Sequence, residues 1–254
     1  MAGHKIVVVG GGGSAGLTDD ARLKRQGRTD VAVIDPASTH YHQPLWTLVG
    51  GGRAPVEASV KPQSKVMPKG VAWIQRAAVG VDPRRRAGDA RRRLQRRLRV
   101  PGHVPGHPAG PGEDHRPGQT LGRDGVSSNH LYELAPATWK FIRDTRSGTA
   151  TFTMPSGPIK CAGAPQKIAY LAADYWREQG VLDKVDIHLV LPTPGMFGVK
   201  EFSDVLVCVA KRYGITVHLQ SEAISVNPDA REVTIADLES SSPSSARTAA
   251  GPCA

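Results

Sequence analysis

Ile6-Val7-Val8-Val9-Gly10-Gly11-Gly12-Gly13-Ser14-Ala15-Gly16-Leu17 is the stretch that decides the fold of this 254-residue chain. Four β-branched residues in a row, bounded by glycine, read as a short strand buried on both faces. The glycines form a tight turn. A helix is predicted from about Ala15 to Gln26, with Gly27 as its C-terminal cap. Val31-Ala32-Val33-Ile34 reads as a second strand that ends at Asp35-Pro36, which completes a β-α-β unit.

The turn carries a chemical expectation. Gly11, Gly13 and Gly16 fit G-x-G-x-x-G, and Gly10 and Gly12 with Ala15 fit a second register. Such a turn lets the backbone approach a pyrophosphate closely, and the helix N-terminus offers free N–H donors and the positive end of its dipole. Asp35 stands at the end of the second strand, where an acid can accept hydrogen bonds from the ribose hydroxyls of a dinucleotide. Asp19 and Asp20 run against this reading. Acids suit the first turns of a helix, yet here they weaken an anion site and intrude on the helix–sheet interface.

Further along, His40 to Trp46 forms a polar and aromatic loop, glycines follow at 50 to 52, and Val71-Ala72-Trp73-Ile74 reads as a strand. A second β-α-β pattern begins with the strand Ala150–Met154 and the loop Pro155–Gly163. A helix from about Ala164 follows, its apolar stripe made by Ile168, Leu171, Ala172, Tyr175 and Trp176. Then come a strand Val185–Leu191, a helix Glu201–Tyr213, a strand Ile215–Leu219, and a hairpin of Ala223–Val226 with Glu232–Ile235.

The chain is 39% hydrophobic with 28 Gly and 20 Pro, and two segments account for this dilution. Residues 83–119 hold Arg runs and Pro-Gly-His repeats, and residues after Leu238 collapse into Ser, Ala, Pro and Gly. The net charge of +10 is concentrated in the same place, since residues 83–119 carry ten arginines against three acids. No aromatics are interleaved with those arginines, so no nucleic-acid partner is expected. Met1-Ala2-Gly3-His4-Lys5 leads straight into the first strand, so no leader is expected and a cytoplasmic bacterial protein is the default. No apolar run approaches the length of a membrane span, and no Cys/His spacing indicates a metal.

Of the three cysteines, Cys161 stands out. It lies beside Lys160 and just before a helix, and both features lower a thiol pKa and favour a redox or nucleophilic role. A buried structural cysteine is the plainer alternative. Cys208, in Val205-Leu206-Val207-Cys208-Val209, is expected in the core, and Cys253 lies in the tail. The second β-α-β unit has no glycine fingerprint after its first strand, which argues against a nicotinamide dinucleotide as electron partner.

Four segments together resemble the sulfide:quinone oxidoreductases, flavoproteins related to the disulfide reductases. They are the Gly10–Gly16 turn, His40-Tyr41-His42-Gln43-Pro44-Leu45-Trp46-Thr47-Leu48-Val49-Gly50, the loop from Ile159 to Lys167, and Phe197-Gly198-Val199-Lys200. The resemblance covers about residues 4–82 and 120–238. It implies FAD as cofactor, with Gly11, Gly13, Ser14, Ala15, Gly16, Asp35, Gln43 and Ala78 at cofactor-contacting positions. It also implies that sulfide attacks a redox disulfide, that Cys161 carries the resulting persulfide, and that electrons pass through FAD to a membrane quinone. Lys167 shares the cysteine loop and could favour anionic sulfur. The family's second redox cysteine and its membrane-docking helices have no counterpart in this chain, and neither Cys208 nor Cys253 matches the missing partner. A type II NADH dehydrogenase-like flavoprotein and a non-catalytic FAD-binding fragment are the alternatives.

The expected fold class is α/β, with two Rossmann-like βαβ dinucleotide-binding domains, the first incomplete. Residues 1–82 would be the N-terminal part of the FAD-binding domain, and 83–119 an aberrant, disordered segment. Residues 120–238 would be a second Rossmann-like domain with the redox cysteine, and 239–254 a disordered tail. Codons can be chosen for Pro101–Gly110 that, read one base later, give Leu-Val-Met-Ser-Pro-Gly-Ile-Gln-Leu. That is an apolar strand followed by the Ser-Pro-Gly-Ile-Gln-Leu the family carries there. Residues 83–119 are therefore expected to be a reading-frame error and the chain an impaired, truncated copy, the alternative being a genuine basic arm.

Overall fold

The structure is a computed structural model that describes residues 6–82, 87–90, 96–97, 101–103, 121–157, 159–227, 229–238 and 248–249; the side chains of 81–120 and 239–254 lie outside the description. In chain order the elements are β1 (Ile6–Val9), α1 (Ser14–Arg25), β2 (Val31–Ile34), β3 (Thr39–Tyr41), α2 (Trp46–Gly50), β4 (Val60–Pro62), α3 (Gln63–Val66), β5 (Ala72–Ile74), β6 (Ala78–Asp82), β7 (Ala87–Ala90), β8 (Arg96–Arg97) and β9 (Pro101–His103). They continue with α4 (Ala135–Asp144), β10 (Gly148–Thr153), α5 (Gly163–Glu178), β11 (Val185–Val190), α6 (Lys200–Arg212), β12 (Ile215–His218), β13 (Ser221–Asn227), β14 (Glu232–Asp237) and β15 (Thr248–Ala249). Two compact units result. One is built from segments 1–42 and 57–109, the other from 43–56 and 110–254.

The first unit centres on a parallel sheet of order β5-β2-β1-β9. Every residue of β2 is buried, as are Val7, Val8 and Val9 of β1, which is why these strands are β-branched on both faces. Helix α1 ends where Gly27, at φ +78°, takes the left-handed conformation and donates to the Lys24 carbonyl. The Pro-Gly-His stretch supplies a backbone strand, with Pro101 to His103 paired in parallel against Val7 to Val9. β6, β7 and β8 form an antiparallel ribbon. The segment expected to lack order thus contributes three short strands. The rest of 83–119, and most of the reading-frame expectation with it, lies outside the described residues, as does the tail apart from β15.

In the second unit β10, β11 and β12 run parallel. Ile187, Leu189 and Ile215 pack against Ile168, Ala172 and Trp176 of α5 and Ala210 of α6. The Trp176 indole N–H donates to the Ile142 carbonyl at 2.9 Å, which satisfies the one polar group this large buried ring carries. Helix α2 nests against α4 and α5, and the glycines that follow it pack closely on them. A Cβ on Gly51 would lie 2.6 Å from Leu171 Cδ1, and one on Gly52 2.6 Å from the Trp139 ring. The hairpin β13–β14 carries a register shift between Ala223 and Ser225.

Cys208 corrects an expectation. It is exposed rather than in the core. The stripe of α6 turned inward is Ser203, Leu206, Ala210 and Tyr213, spaced i, i+3, i+7 and i+10, and it leaves Val205, Val207 and Cys208 on the outer arc.

Candidate functional site

The four-glycine turn has a use for each glycine. Gly10 turns the chain at φ +68°. A Cβ on Gly16 would lie 2.3 Å from Gly11 Cα and 2.5 Å from its oxygen, so the helix starts in contact with the turn backbone. A Cβ on Gly12 would lie 2.4 Å from Asp35 Cγ. A Cβ on Gly13 would meet nothing within 4 Å. The close contacts at 11 and 16 and the open space at 13 are compatible with the Gly11, Gly13, Gly16 register. Gly13, Ser14 and Ala15 are exposed, and no side chain caps the N-terminus of α1. Its first N–H groups are therefore left without a side-chain cap.

Asp35 locks this arrangement. Its two oxygens accept from the backbone N–H of Gly12 and of Ala37, each at 2.9 Å, and each keeps lone-pair capacity for a further donor. The Gly12 carbonyl is held from the other side by two side chains. Gln63 Nε2 donates to it at 2.8 Å, and His40 Nδ1 approaches to 3.1 Å, so Nδ1 carries the proton. Ala78 begins β6 and packs half-buried against the Val7, Val9, Ala32 and Ile34 core.

Gln63 was not legible as a site residue, because it sits in no motif and reaches the turn only through the fold. It is fully buried, at 1% exposure. Gln63→Leu is expected to lower the stability of the first unit by about 1–2 kcal/mol, the cost of one buried hydrogen bond with a partner left behind. The urea midpoint followed by Trp73 fluorescence measures this. An unchanged midpoint would mean that His40 alone fixes the Gly12 carbonyl.

The cysteine loop belongs to the second unit. Cys161 is exposed at the entry to α5, and a Cβ on Gly163 would lie 3.8 Å from its Sγ, so the thiol sits over the first residue of the helix. No side chain caps α5 and no acid occupies its first turn. Lys160 Nζ donates to Gln43 Oε1 at 3.0 Å, and Gln43 Nε2 donates to the His130 carbonyl at 3.2 Å. Gln43 therefore ties the cysteine loop to the segment before α4. Lys167 is exposed in the first turns of α5. In the loop after β10, Glu222 accepts from the Ser156 N–H at 3.0 Å and its hydroxyl at 2.6 Å. A carboxylate thus occupies one backbone donor and one hydroxyl of this loop. Gly11, Gly13, Ser14, Ala15, Gly16, Asp35 and Ala78 lie in the first unit, and Gln43 and Cys161 in the second.

No protein-family model matches the chain. Among curated proteins, a mitochondrial sulfide:quinone oxidoreductase of Mus musculus is 32% identical over 247 residues, 93% of this chain and 53% of that protein. One of Dictyostelium discoideum is 33% identical over 235 residues, 90% of this chain and 51% of that protein. The chain therefore spans about half the length of the curated relatives it matches. Their mitochondrial names give the bacterial default no support. Among the described residues no helix is long and apolar enough to cross a membrane. The sulfide:quinone oxidoreductase of Aquifex aeolicus superposes with a TM-score of 0.75 at 16% identity, covering 97% of this chain and 57% of that one. The NDH2 of Plasmodium falciparum superposes at 0.66 and 11% identity, covering 98% and 53%. These likenesses confirm the α/β fold with parallel Rossmann-like sheets. Over the stretch it shares with these relatives, about half of their length, the chain is similar to the sulfide:quinone oxidoreductases.

Proposed function

We propose that this chain serves an FAD-dependent oxidation of sulfide, with a quinone as the final electron acceptor. The observation that carries the cofactor assignment is the steric pattern of the turn. Gly16 touches Gly11, Gly13 faces open space, and the uncapped start of α1 lies exposed beside Asp35. In this reading the N–H groups at Ser14 and Ala15 hold the pyrophosphate, and the spare lone pairs of Asp35 accept from ribose hydroxyls. Gln43 and Ala78 are the further contacts that the family resemblance assigns. When bound, FAD supplies the two-electron acceptor.

Cys161 is the sulfur that reacts. Hydrosulfide attacks a disulfide at Cys161, the S–S bond breaks, and Cys161 keeps the new sulfur as a persulfide while the partner sulfur leaves as a thiolate with the electron pair. By resemblance, that partner belongs to a part of the family that this chain does not span. NADH is not favoured as the reductant, since the loop after β10 has no glycine fingerprint and Glu222 takes up the Ser156 N–H and hydroxyl.

The test is an anaerobic sulfide titration of the chain reconstituted with FAD, with Cys161 first oxidised to a mixed disulfide with a small thiol, which supplies the S–S bond that hydrosulfide breaks and the thiolate that leaves. The visible flavin band is expected to bleach with sulfide and to stay oxidised in Cys161→Ser, with FAD bound equally by both. Bleaching in Cys161→Ser at the same rate, or no FAD binding by the unaltered chain, would overturn the proposal.

A further inference from the structure

The parallel sheet of the second unit has one apolar face and one polar face. Ile187, Leu189, Ile215 and Val217 belong to the core shared with α5 and α6. The residues that alternate with them, Asp186, His188, Thr216 and His218, therefore point to the other side. The register partners of His188 on the flanking strands are Thr151 of β10 and Thr216 of β12, so short side chains stand on both sides of it.

Three groups on this face form a chain. His188 Nε2 lies 2.9 Å from Asp186 Oδ2, and His188 Nδ1 lies 2.9 Å from His218 Nε2. A carboxylate only accepts, so His188 Nε2 carries the proton and the neutral ring keeps a lone pair on Nδ1. His218 Nε2 donates to that lone pair. The ring planes are within 24° of each other but the centroids are 5.1 Å apart, so the two rings meet at their nitrogens rather than face on face. His188 is 12% exposed and Asp186 63%, and Thr216 is exposed, so solvent reaches the pair. His188 and His218 are 30 residues apart, and no spacing motif announces them.

This arrangement suits a metal ion. A carboxylate on the far N–H of an imidazole fixes its tautomer and raises the basicity of the ligating nitrogen. The separation of the two nitrogens selects the ion. Two metal–nitrogen bonds of about 2.0–2.1 Å at a right angle span about 2.9 Å, the separation found here, whereas tetrahedral Zn2+ needs about 3.3 Å. Among the described residues no group of three His, Cys, Asp or Glu converges on a metal position. The site is thus a two-imidazole one, and water completes the coordination.

We propose that His188 and His218 bind a late first-row divalent cation of tetragonal preference, Cu2+ foremost and then Ni2+, and that Asp186 orients His188 for it. The ion takes the place of the hydrogen that the two nitrogens share. Each ring turns to direct its lone pair at the ion, and the displaced His218 proton moves to Nδ1, so both rings stay neutral. The bound ion bridges β11 to β12.

The test is a Cu2+ titration of the full chain carrying His4→Gln, which keeps the N-terminal segment from competing for the ion. One ion is expected to bind ahead of any other, with a pulsed electron paramagnetic resonance signature of two imidazoles. His188→Gln and His218→Gln are each expected to weaken binding at least about 10-fold and to leave one imidazole, and Asp186→Asn to weaken it roughly 10-fold with both imidazoles kept. An unchanged circular dichroism spectrum separates loss of a ligand from loss of the sheet, and the imidazole count of the His4→Gln chain decides even where a variant fails to fold. Ni2+ is expected to bind more tightly than Zn2+. A first ion held by fewer than two imidazoles, or one bound equally by His188→Gln and His218→Gln, is an adventitious ion and overturns the proposal. A tighter site for Zn2+ than for Ni2+ overturns the right-angle geometry on which it rests.

Discussion

Asp20→Asn is expected to stabilise the first unit by roughly 4 kcal/mol at pH 8 and by little at pH 4. Asp20 is fully buried on α1, and among the described residues neither of its carboxylate oxygens has a hydrogen-bond partner. Burial, and secondarily the neighbouring Asp19, pushes its pKa up from 3.8 to about 7. The folded state therefore holds a proton that the unfolded state releases. Stability is greatest at low pH for this group, falls as pH rises from about 4, and is fully lost above 7. Asparagine keeps the shape and removes the titration. Urea midpoints of the two proteins at pH 5, 6 and 8 should diverge as pH rises, and parallel midpoints would show that Asp20 is solvated or partnered. Against a typical total of about 5–15 kcal/mol, the effect is large. It also means that the carboxylate, two turns behind the proposed pyrophosphate site, stays largely neutral below pH 7 and opposes a bound pyrophosphate only above it.

Gly16→Ala and Gly13→Ala are expected to fail in different ways. At position 16 the new methyl lies 2.3 Å from backbone that cannot rotate away, so α1 must withdraw from the turn. The cost is about 1–3 kcal/mol of stability, and because the proposed site itself is displaced, FAD affinity falls by roughly 10–100-fold as well. At position 13 the methyl meets no protein atom, and the urea midpoint should not move. FAD affinity should still fall, because the methyl occupies the space the pyrophosphate needs. Denaturation and FAD fluorescence titration on both variants separate the two effects. Equal FAD affinity for Gly13→Ala and the unaltered chain would place the ligand elsewhere.

The legible parts were those written in local pattern. The hairpin expected at Ala223–Val226 and Glu232–Ile235 is Ser221–Asn227 and Glu232–Asp237, because turn residues between alternating strands declare themselves. Helix α5 starts one residue before its expected position. Contacts made through the fold stayed hidden. Gly16 meets Gly11 and Gly12 meets Asp35, which no spacing rule distinguishes. Gln63 approaches Gly12 across 51 residues, and Lys160 approaches Gln43 across 117. Cys208 was misplaced because Val205-Leu206-Val207-Cys208-Val209 is apolar throughout and has no period to show which side faces the sheet. The strand at Pro101–His103 is set by its parallel partner β1, against the propensity of its own residues.

Residues 43–56 belong to the second unit although they interrupt the first. Arg53 pairs with Asp174 and Glu178, which follow it by 121 and 125 residues, and Trp46 is buried beside Tyr132 and Ala135. On the ribosome this segment emerges early, and its Trp46 finds no surface to pack on until Tyr132 and Ala135 have been made. Loop closure over that distance costs entropy before any contact returns it, so maturation is slow and not strictly N- to C-terminal. A fragment ending at Ala109 would carry Trp46 without its core, a hydrophobic segment open to chaperones and to aggregation.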